Sequence, residues 1–339
     1  MTRDADTMLA PADEAGIAAA IAAAHAAREP IAVEGNGSKR GLLRPVQAAR
    51  TLSTRNLTGI TLYSPAELVL SARAGTPIPE IEAALAEKGQ HLIAEPPDTR
   101  AIFGVAPDGA RNDPTPDGAR NDPVPDGSDR PATLGGIVAA NLSGPRRIAW
   151  GAMRDHVLGI RFVNGEGEVL RSGGRVLKNV TGLDLCKLLA GSYGTLGVMT
   201  EITLKVLPAP EAAATLLVAV PDMATGVRAL SAGLGSPFGV SGAAVLPGEP
   251  ALAALRIEDF ASSVAYRTGR LRESMQGFGT VTMLEGEASR AFWREVRDAA
   301  PLAVRAEEAV WRISVRPSAG PAVAEAAAAL GGRALLDWG

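Results

Sequence analysis

The feature that most constrains this chain is a glycine-punctuated stretch, residues 131–206. It opens on Thr133, Leu134, Gly135 and Gly136, and passes through Asn141 and the run Gly144, Pro145, Arg146 and Arg147. Gly151, Asp155 and the Asn164 and Gly165 turn follow. It closes on Gly191, Ser192, Tyr193, Gly194, Thr195, Leu196 and Gly197, which feed a strand. Glycine recurs where a side chain would hold the backbone away from a flat or charged ligand. The stretch reads as half of a cradle for a nucleotide cofactor.

A second glycine loop, Gly35, Asn36, Gly37, Ser38, Lys39, Arg40 and Gly41, follows Ile31, Ala32 and Val33, which read as a buried strand. The dinucleotide fingerprint needs a helix opening directly from such a loop. Here Leu42, Leu43, Arg44 and Pro45 follow, and proline forbids a normal helix interior, so a nicotinamide-type fold is disfavoured. Successive N–H groups of the loop can still bind a pyrophosphate as a nest, with Ser38 adding a hydroxyl and Lys39 a positive charge. A plain surface turn is the alternative.

At 339 residues and 46% hydrophobic content, the chain has length for two domains and material for real cores. A net charge of −3, with Lys and Arg scattered, gives no footprint for nucleic acid. One cysteine, Cys186, excludes an internal disulfide framework and any Cys-ligated zinc or iron–sulfur site within the chain, so iron–sulfur chemistry would need a partner. His25, His91 and His156 are not at ligand spacing, and no metal site is expected. The start is acidic where a signal peptide is basic, and no run approaches the roughly 20 apolar residues of a membrane span. The expectation is a cytoplasmic chain that reaches a membrane only through a partner.

Along the chain, Met8 to Pro11 could form a short strand, and Ile17, Ile21 and His25 recur as on one helix face. Short strands are expected around 51–53, 59–63 and 68–72, and a helix after Thr76 and Pro77 with Ile78, Ile81 and Leu85 on one face. Residues 106–130 form a low-complexity insert, Pro107 to Pro114 being repeated at 116–123, and are expected to be disordered. A hairpin is expected at 158–170, a helix at 183–189 and a half-buried strand at 198–206. Pro208 and Pro210 mark a domain boundary. Beyond it, strands are expected at 215–220 and 311–315, and helices at 223–230, 253–275, around Trp293 and at 321–330. Ala334, Leu335 and Leu336 read as a strand start, so this second domain is expected to be cut short.

Taken in order, residues 133–136, 144–147, Arg154 and Asp155 followed by 157–159, Lys178 and Asn179, and 191–197 resemble a flavoprotein family. Its FAD domain is shared by vanillyl-alcohol oxidase, p-cresol methylhydroxylase (PCMH) and the D-lactate dehydrogenases. Within it, the likeness to the E subunits of bacterial glycolate oxidases is close and runs from about residue 8 to the end, apart from the insert. The resemblance implies an α+β fold: a PCMH-type FAD-binding domain of two subdomains, 1–208, followed by a smaller α+β, ferredoxin-like domain, 209–339. It implies that Gly35, Asn36, Gly37, Ser38, Lys39 and Arg40 take the FAD pyrophosphate. Thr133, Leu134, Gly135, Gly136 and Asn141 would lie along the flavin, Gly194, Thr195 and Gly197 would approach the adenosine end, and Gly144 and Asp155 would complete the set. It implies a complex with a second flavoprotein subunit and an iron–sulfur subunit, oxidising glycolate to glyoxylate, with the glycolate bound here or on the partner.

Two departures matter. No histidine lies in residues 34–41, so FAD is expected to be non-covalent, and no histidine follows His156, which counts against a self-sufficient D-2-hydroxyacid dehydrogenase. A structural subunit that no longer binds FAD is a further alternative. Arg146 and Arg147 are the candidates to stabilise negative charge near the flavin or to bind a substrate carboxylate, against the plain reading of surface arginines after a Gly-Pro turn. Asp155 is expected to accept hydrogen bonds, His156 to fill space, Cys186 to sit in the core, and Tyr193 to cover the cofactor or merely pack.

Overall fold

The computed structural model describes residues 8–42, 47–100, 102, 130–175, 182–304 and 308–339. Most of the low-complexity insert, together with Pro45, Lys178 and Asn179, lies outside the described residues. The chain divides into two compact units, Met1–Leu142 with Ala152–Ala209, and Ser143–Gly151 with Pro210–Gly339. The stretch 143–151, which the sequence reading leaves inside a first domain ending at 208, thus belongs with the second unit.

The first unit has two subdomains. In one, β1 (Met8–Leu9), β3 (Arg50–Ser53) and β2 (Ile31–Glu34) form a parallel sheet in the order β1-β3-β2, and α1 (Glu14–Ala27) connects β1 to β2. Asp13 caps α1 by accepting from Gly16 N at 2.8 Å. Ile17 and Ala24 are the buried residues of α1, with Ile21 partly buried beside them, whereas His25 is exposed. A strict four-residue repeat drifts around a 3.6-residue helix, so the third member of the series leaves the face and Ala24 takes its place.

In the other subdomain, β4 (Ile60–Ser64), β5 (Val69–Arg73), β9 (Val198–Lys205), β7 (Val157–Val163) and β8 (Val169–Gly173) form an antiparallel sheet in that order. α2 (Ile78–Ala86), α3 (Leu134–Ala139) and α5 (Leu185–Leu189) pack on it through Ile81, Leu85, Leu134, Ile137 and Leu189. β9 is central and buries residues on both faces, not one: Thr200 donates to Glu14 Oε1 at 2.5 Å, and Ser71 and Thr203 hydroxyls meet at 2.8 Å. A two-stranded ribbon, β6 (Gln90–His91) with β10 (Leu207–Pro208), closes the unit.

The second unit contributes α4 (Arg147–Trp150) and then β11 (Ala212–Val220), α6 (Met223–Leu234), β12 (Gly242–Leu246), β13 (Ala251–Asp259), α7 (Ala261–Met275) and β14 (Thr280–Glu285). The sheet order β14-β11-β13-β12, all antiparallel, is that of a ferredoxin-like βαββαβ unit. α8 (Gly286–Arg297) lays Trp293 and Val296 on Ala244 and Ala254, while α6 and α7 cover the face of Leu216, Val218 and Leu255. α9 (Gly320–Ala329) leads to β15 (Leu336–Asp337), which pairs with β12.

Two expectations fail here. Residues 253–259, read as helix, are the body of β13, because pairing with β11 and β12 outweighs the helix propensity of Ala and Leu. Residues 311–315, read as a strand, form none: the alternating apolar pattern finds no ladder partner, and Trp311 and Ile313 are exposed.

Candidate functional site

The loop that leaves β2 is held from several sides. Ser53 Oγ donates to Gly35 O at 2.7 Å, Thr99 Oγ1 to Ser38 O at 3.0 Å, and Asn36 Nδ2 to Pro131 O at 2.9 Å. Gly37 adopts φ +77°, a left-handed conformation suited to glycine, and Arg40 N–H and Leu42 N–H turn back onto Gly37 O and Lys39 O. The N–H groups of Asn36, Gly37, Ser38 and Lys39 have no acceptor among the described residues, although Gly37 and Ser38 are buried. Arg40 forks onto Glu34, with Nε 2.7 Å from Oε2, so its charge is already matched by the protein.

The Thr133 to Gly136 motif is a helix start, not an open loop. Thr133 caps α3, accepting from Gly136 N at 3.3 Å, while Leu134 N–H and Gly135 N–H donate to Thr76 O and Ala74 O. This start lies directly against the 35–41 loop. A β-carbon on Gly35 would come within 2.1 Å of Thr133 Oγ1, and one on Gly136 within 3.1 Å of Lys39 Cε and 3.3 Å of its Nζ. Gly135, by contrast, is required by Ala74, whose Cβ would lie 2.8 Å from an added β-carbon.

Lys39 therefore occupies the space in front of Gly136, and its Nζ donates to Ser38 Oγ at 3.0 Å. Burial pulls its pKa down to about 8, with the Asp98 carboxylate opposing the shift. Asp98 is itself paired with Arg100.

The third segment, 191–197, is laced to the end of α3. Gly191 N–H donates to Val138 O at 3.1 Å and Tyr193 N–H to Ala139 O at 2.9 Å. Gly194 approaches β2, an added β-carbon lying 3.3 Å from Val33 Cβ, and Gly197 leaves 2.8 Å to Val163 O. Ser192 Oγ is buried with no hydrogen-bond partner, and the exposed Thr195 bonds back to Ser192 O at 2.6 Å. Asn141, at φ +47°, accepts from Arg154 N at 3.0 Å through Oδ1. The structure thus brings together Gly35 to Lys39, Thr133 to Gly136, Asn141 and the 191–197 turn within one unit. Thr99, Asp98 and Ser192 join them. Sequence reasoning passed over Thr99 and Asp98, which carry no glycine signal, and included Ser192 only as part of its motif.

Other candidates have different duties. Asp155 accepts from Ala152 N at 2.8 Å, closing the short turn at Met153–His156. Gly144, Arg146 and Arg147 belong to the second unit. Arg146 grips Glu258 through Nε and Nη2, at 3.0 and 2.7 Å, while Arg256 Nε and Ser241 Oγ reach the same carboxylate at 3.3 and 2.8 Å. Burial pushes the Glu258 carboxyl up, but Arg256 and Arg146, with hydrogen bonds from Arg146 and Ser241, overcome it and hold the pKa at about 2. Among the described residues, no group of three or more His, Cys, Asp or Glu side chains could hold a metal ion. No helix among them is long and apolar enough to cross a membrane.

Four unaccepted N–H groups, an ammonium beside them and glycines at each close approach fit a dinucleotide whose pyrophosphate carries negative charge. A family model described as an FAD binding domain matches residues 5–106 and 121–173. Glycolate oxidase subunit GlcE of Escherichia coli (strain K12) is 36% identical over 312 residues, an alignment covering 92% of this chain and 74% of that protein.

The chain belongs to the GlcE family of glycolate oxidase subunits.

The GlcE-family chain also matches glycolate oxidase subunit GlcD of Bacillus subtilis (strain 168), 43% identical over 86 residues, 25% of this chain and 18% of that protein. A D-lactate dehydrogenase of Anaerostipes hadrus is 44% identical over 87 residues, 26% of this chain and 18% of that one. Among solved structures, alkyldihydroxyacetonephosphate synthase superposes with a TM-score of 0.62 at 18% identity, covering 87% of this chain and 54% of that one, a likeness of fold. The chain thus spans about half of that structure and less than a fifth of the GlcD and D-lactate dehydrogenase relatives. FAD is the cofactor of this GlcE-family flavoprotein.

Proposed function

We propose that this chain holds FAD non-covalently as one flavin subunit of an assembly that oxidises glycolate to glyoxylate and passes the electrons to a second flavoprotein subunit and an iron–sulfur subunit. The observation that carries the reading is the apposition of the 35–41 loop to the start of α3 around Lys39, in a chain of the GlcE family. Bound FAD supplies the two-electron acceptor that glycolate oxidation requires. Asn36, Gly37, Ser38 and Lys39 offer N–H groups to the pyrophosphate and Lys39 a charge, while Thr133, Gly136 and Asn141 border the flavin and residues 191–197 the adenosine end. Residues 34–41 hold no histidine or cysteine to which the flavin could be tethered. The assembly is cytoplasmic and meets the membrane only through its partners.

The deciding experiment is the visible absorption spectrum of the purified chain, before and after denaturation and removal of precipitate, followed by glycolate-dependent dye reduction with and without co-expressed partner subunits. Flavin bands that pass wholly into the supernatant, with activity only in the assembly, are the expected result. A colourless chain that takes up no added FAD would overturn the reading, and full activity of the isolated chain would overturn the division of labour.

A further inference from the structure

Trp338 carries two guanidinium groups. Arg147, on α4, places Cζ 4.6 Å from the indole centroid, and Arg312 places its own 5.7 Å from the same ring. The ring is fixed in place: its Nε1 donates to Gly144 O at 3.0 Å, and the Trp338 N–H donates to Asp337 Oδ1 at 2.7 Å. Neither the Arg147 nor the Arg312 guanidinium has a hydrogen-bond or ion-pair partner among the described residues. Of the carboxylates in this unit, Asp337 accepts the Trp338 N–H, Glu258 is held by Arg146, Arg256 and Ser241, and Glu308 by Arg333.

The same unit contains an internal comparison. Arg256 stacks on Trp293 at 4.6 Å, and there the guanidinium is balanced by Glu258 at 3.3 Å. At Trp338 two guanidiniums share one ring, and among the described residues neither is paired with a carboxylate, the neighbouring Asp337 accepting the Trp338 N–H instead. Stacking on an indole attracts each guanidinium to the ring face but does not neutralise its charge. Two like charges held on one platform repel, and the group that relieves this best is a planar anion that can accept two N–H bonds from a guanidinium fork.

We propose that Arg147, Arg312 and Trp338 form a binding site for the carboxylate of a small 2-hydroxy acid. The choice of 2-hydroxy acid rests on the glycolate reading above, whereas the carboxylate chemistry rests on the arginines. The site makes the neighbouring arginines unequal: Arg146 is structural, gripping Glu258, and Arg147 is the ligand-facing member of the pair.

The test is a tryptophan-fluorescence titration of the FAD-loaded full chain with glycolate, with the neutral isostere glycolamide, and with inorganic phosphate. Glycolate is expected to give a saturable change that is absent in Trp338→Phe and weakened at least tenfold in Arg147→Gln and Arg312→Gln, with circular dichroism and FAD content unchanged. Glycolamide should give no response, and phosphate a weaker one. Equal responses to glycolate and glycolamide, unchanged glycolate binding in Arg147→Gln, or tighter binding of phosphate than of glycolate would overturn the proposal. So would an Arg147→Gln chain that binds glycolate normally but no longer assembles with its partner subunits, which would give the site to a partner carboxylate. Glycolate oxidation by the wild-type assembly, measured separately, tests the functional reading: its absence would fail that reading whatever the titration shows.

Discussion

Gly35 and Thr133 are fitted to one another: a single added β-carbon on the first would stand 2.1 Å from the hydroxyl of the second, a distance no real structure tolerates. Gly35→Ala should therefore part the 35–41 loop from the start of α3. Overpacking of this kind typically costs about 1–3 kcal/mol. A lower melting temperature and weaker FAD binding are expected, and the double variant Gly35→Ala with Thr133→Gly should lose clearly less than the sum of the two single changes. Strict additivity in thermal melts would show that the two motifs do not share this contact.

Lys39 makes FAD binding depend on pH. Its ammonium is present below about pH 8 and is lost as pH rises through that value, so FAD affinity should fall above pH 8. Bound pyrophosphate favours the charged form, so binding at that pH should take up protons, visible as buffer-dependent heats in calorimetry. Lys39→Met should bind FAD at least tenfold more weakly and show a flat profile. The same variant, freed of a buried ammonium, should melt no lower than the wild type in the cofactor-free state.

Glu258 should mark the acid limit of the second unit. Its pKa is about 2, below the ordinary 4.5, so the stabilisation is fully present above about pH 4.5 and disappears as pH falls towards 2. Arg146→Ala, which leaves the buried carboxylate with less compensation, should cost about 3 kcal/mol at neutral pH. Urea unfolding from pH 7 down to pH 2 would check both, and Glu258→Gln should flatten the acid limb.

Asp155 separates a structural duty from a cofactor duty. It closes the Met153–His156 turn through Ala152 N–H, so Asp155→Ala should lower stability by about 1 kcal/mol, as loss of a cap does. FAD affinity should change less than twofold. A tenfold loss of FAD without loss of stability would return Asp155 to the cofactor.

Much of the first unit was legible because local chemistry and tertiary context agree there. The β-branched strands and the paired glycines are short-range signals, and the cradle is built from them. α3 was hidden by its own glycines, which depress helix propensity where the fold needs close approach to Lys39 and Ala74. β13 was hidden by alanine and leucine, whose local preference is helical. The partner of Arg146 lies more than a hundred residues away on that same misread strand, so no pattern around residue 146 could announce it. The pairings of Gly35 with Thr133 and of Val33 with Gly194 are likewise matters of topology, which spacing alone does not carry.

The assignment of residues 143–151 to the second unit means that the chain passes between its two units at 142/143, 151/152 and 209/210. A break at the proline-marked boundary alone does not liberate two complete pieces. A fragment ending at residue 209 would carry Arg146 without Glu258 and Gly144 without Trp338, and the complementary fragment would have Trp293 and Arg256 but no Arg146. The second unit is thus no detachable cassette: exchange of this region between relatives has to move two separate stretches of the gene together, and a recombination that moves only the later one leaves a buried carboxylate and an indole without the groups they were shaped around.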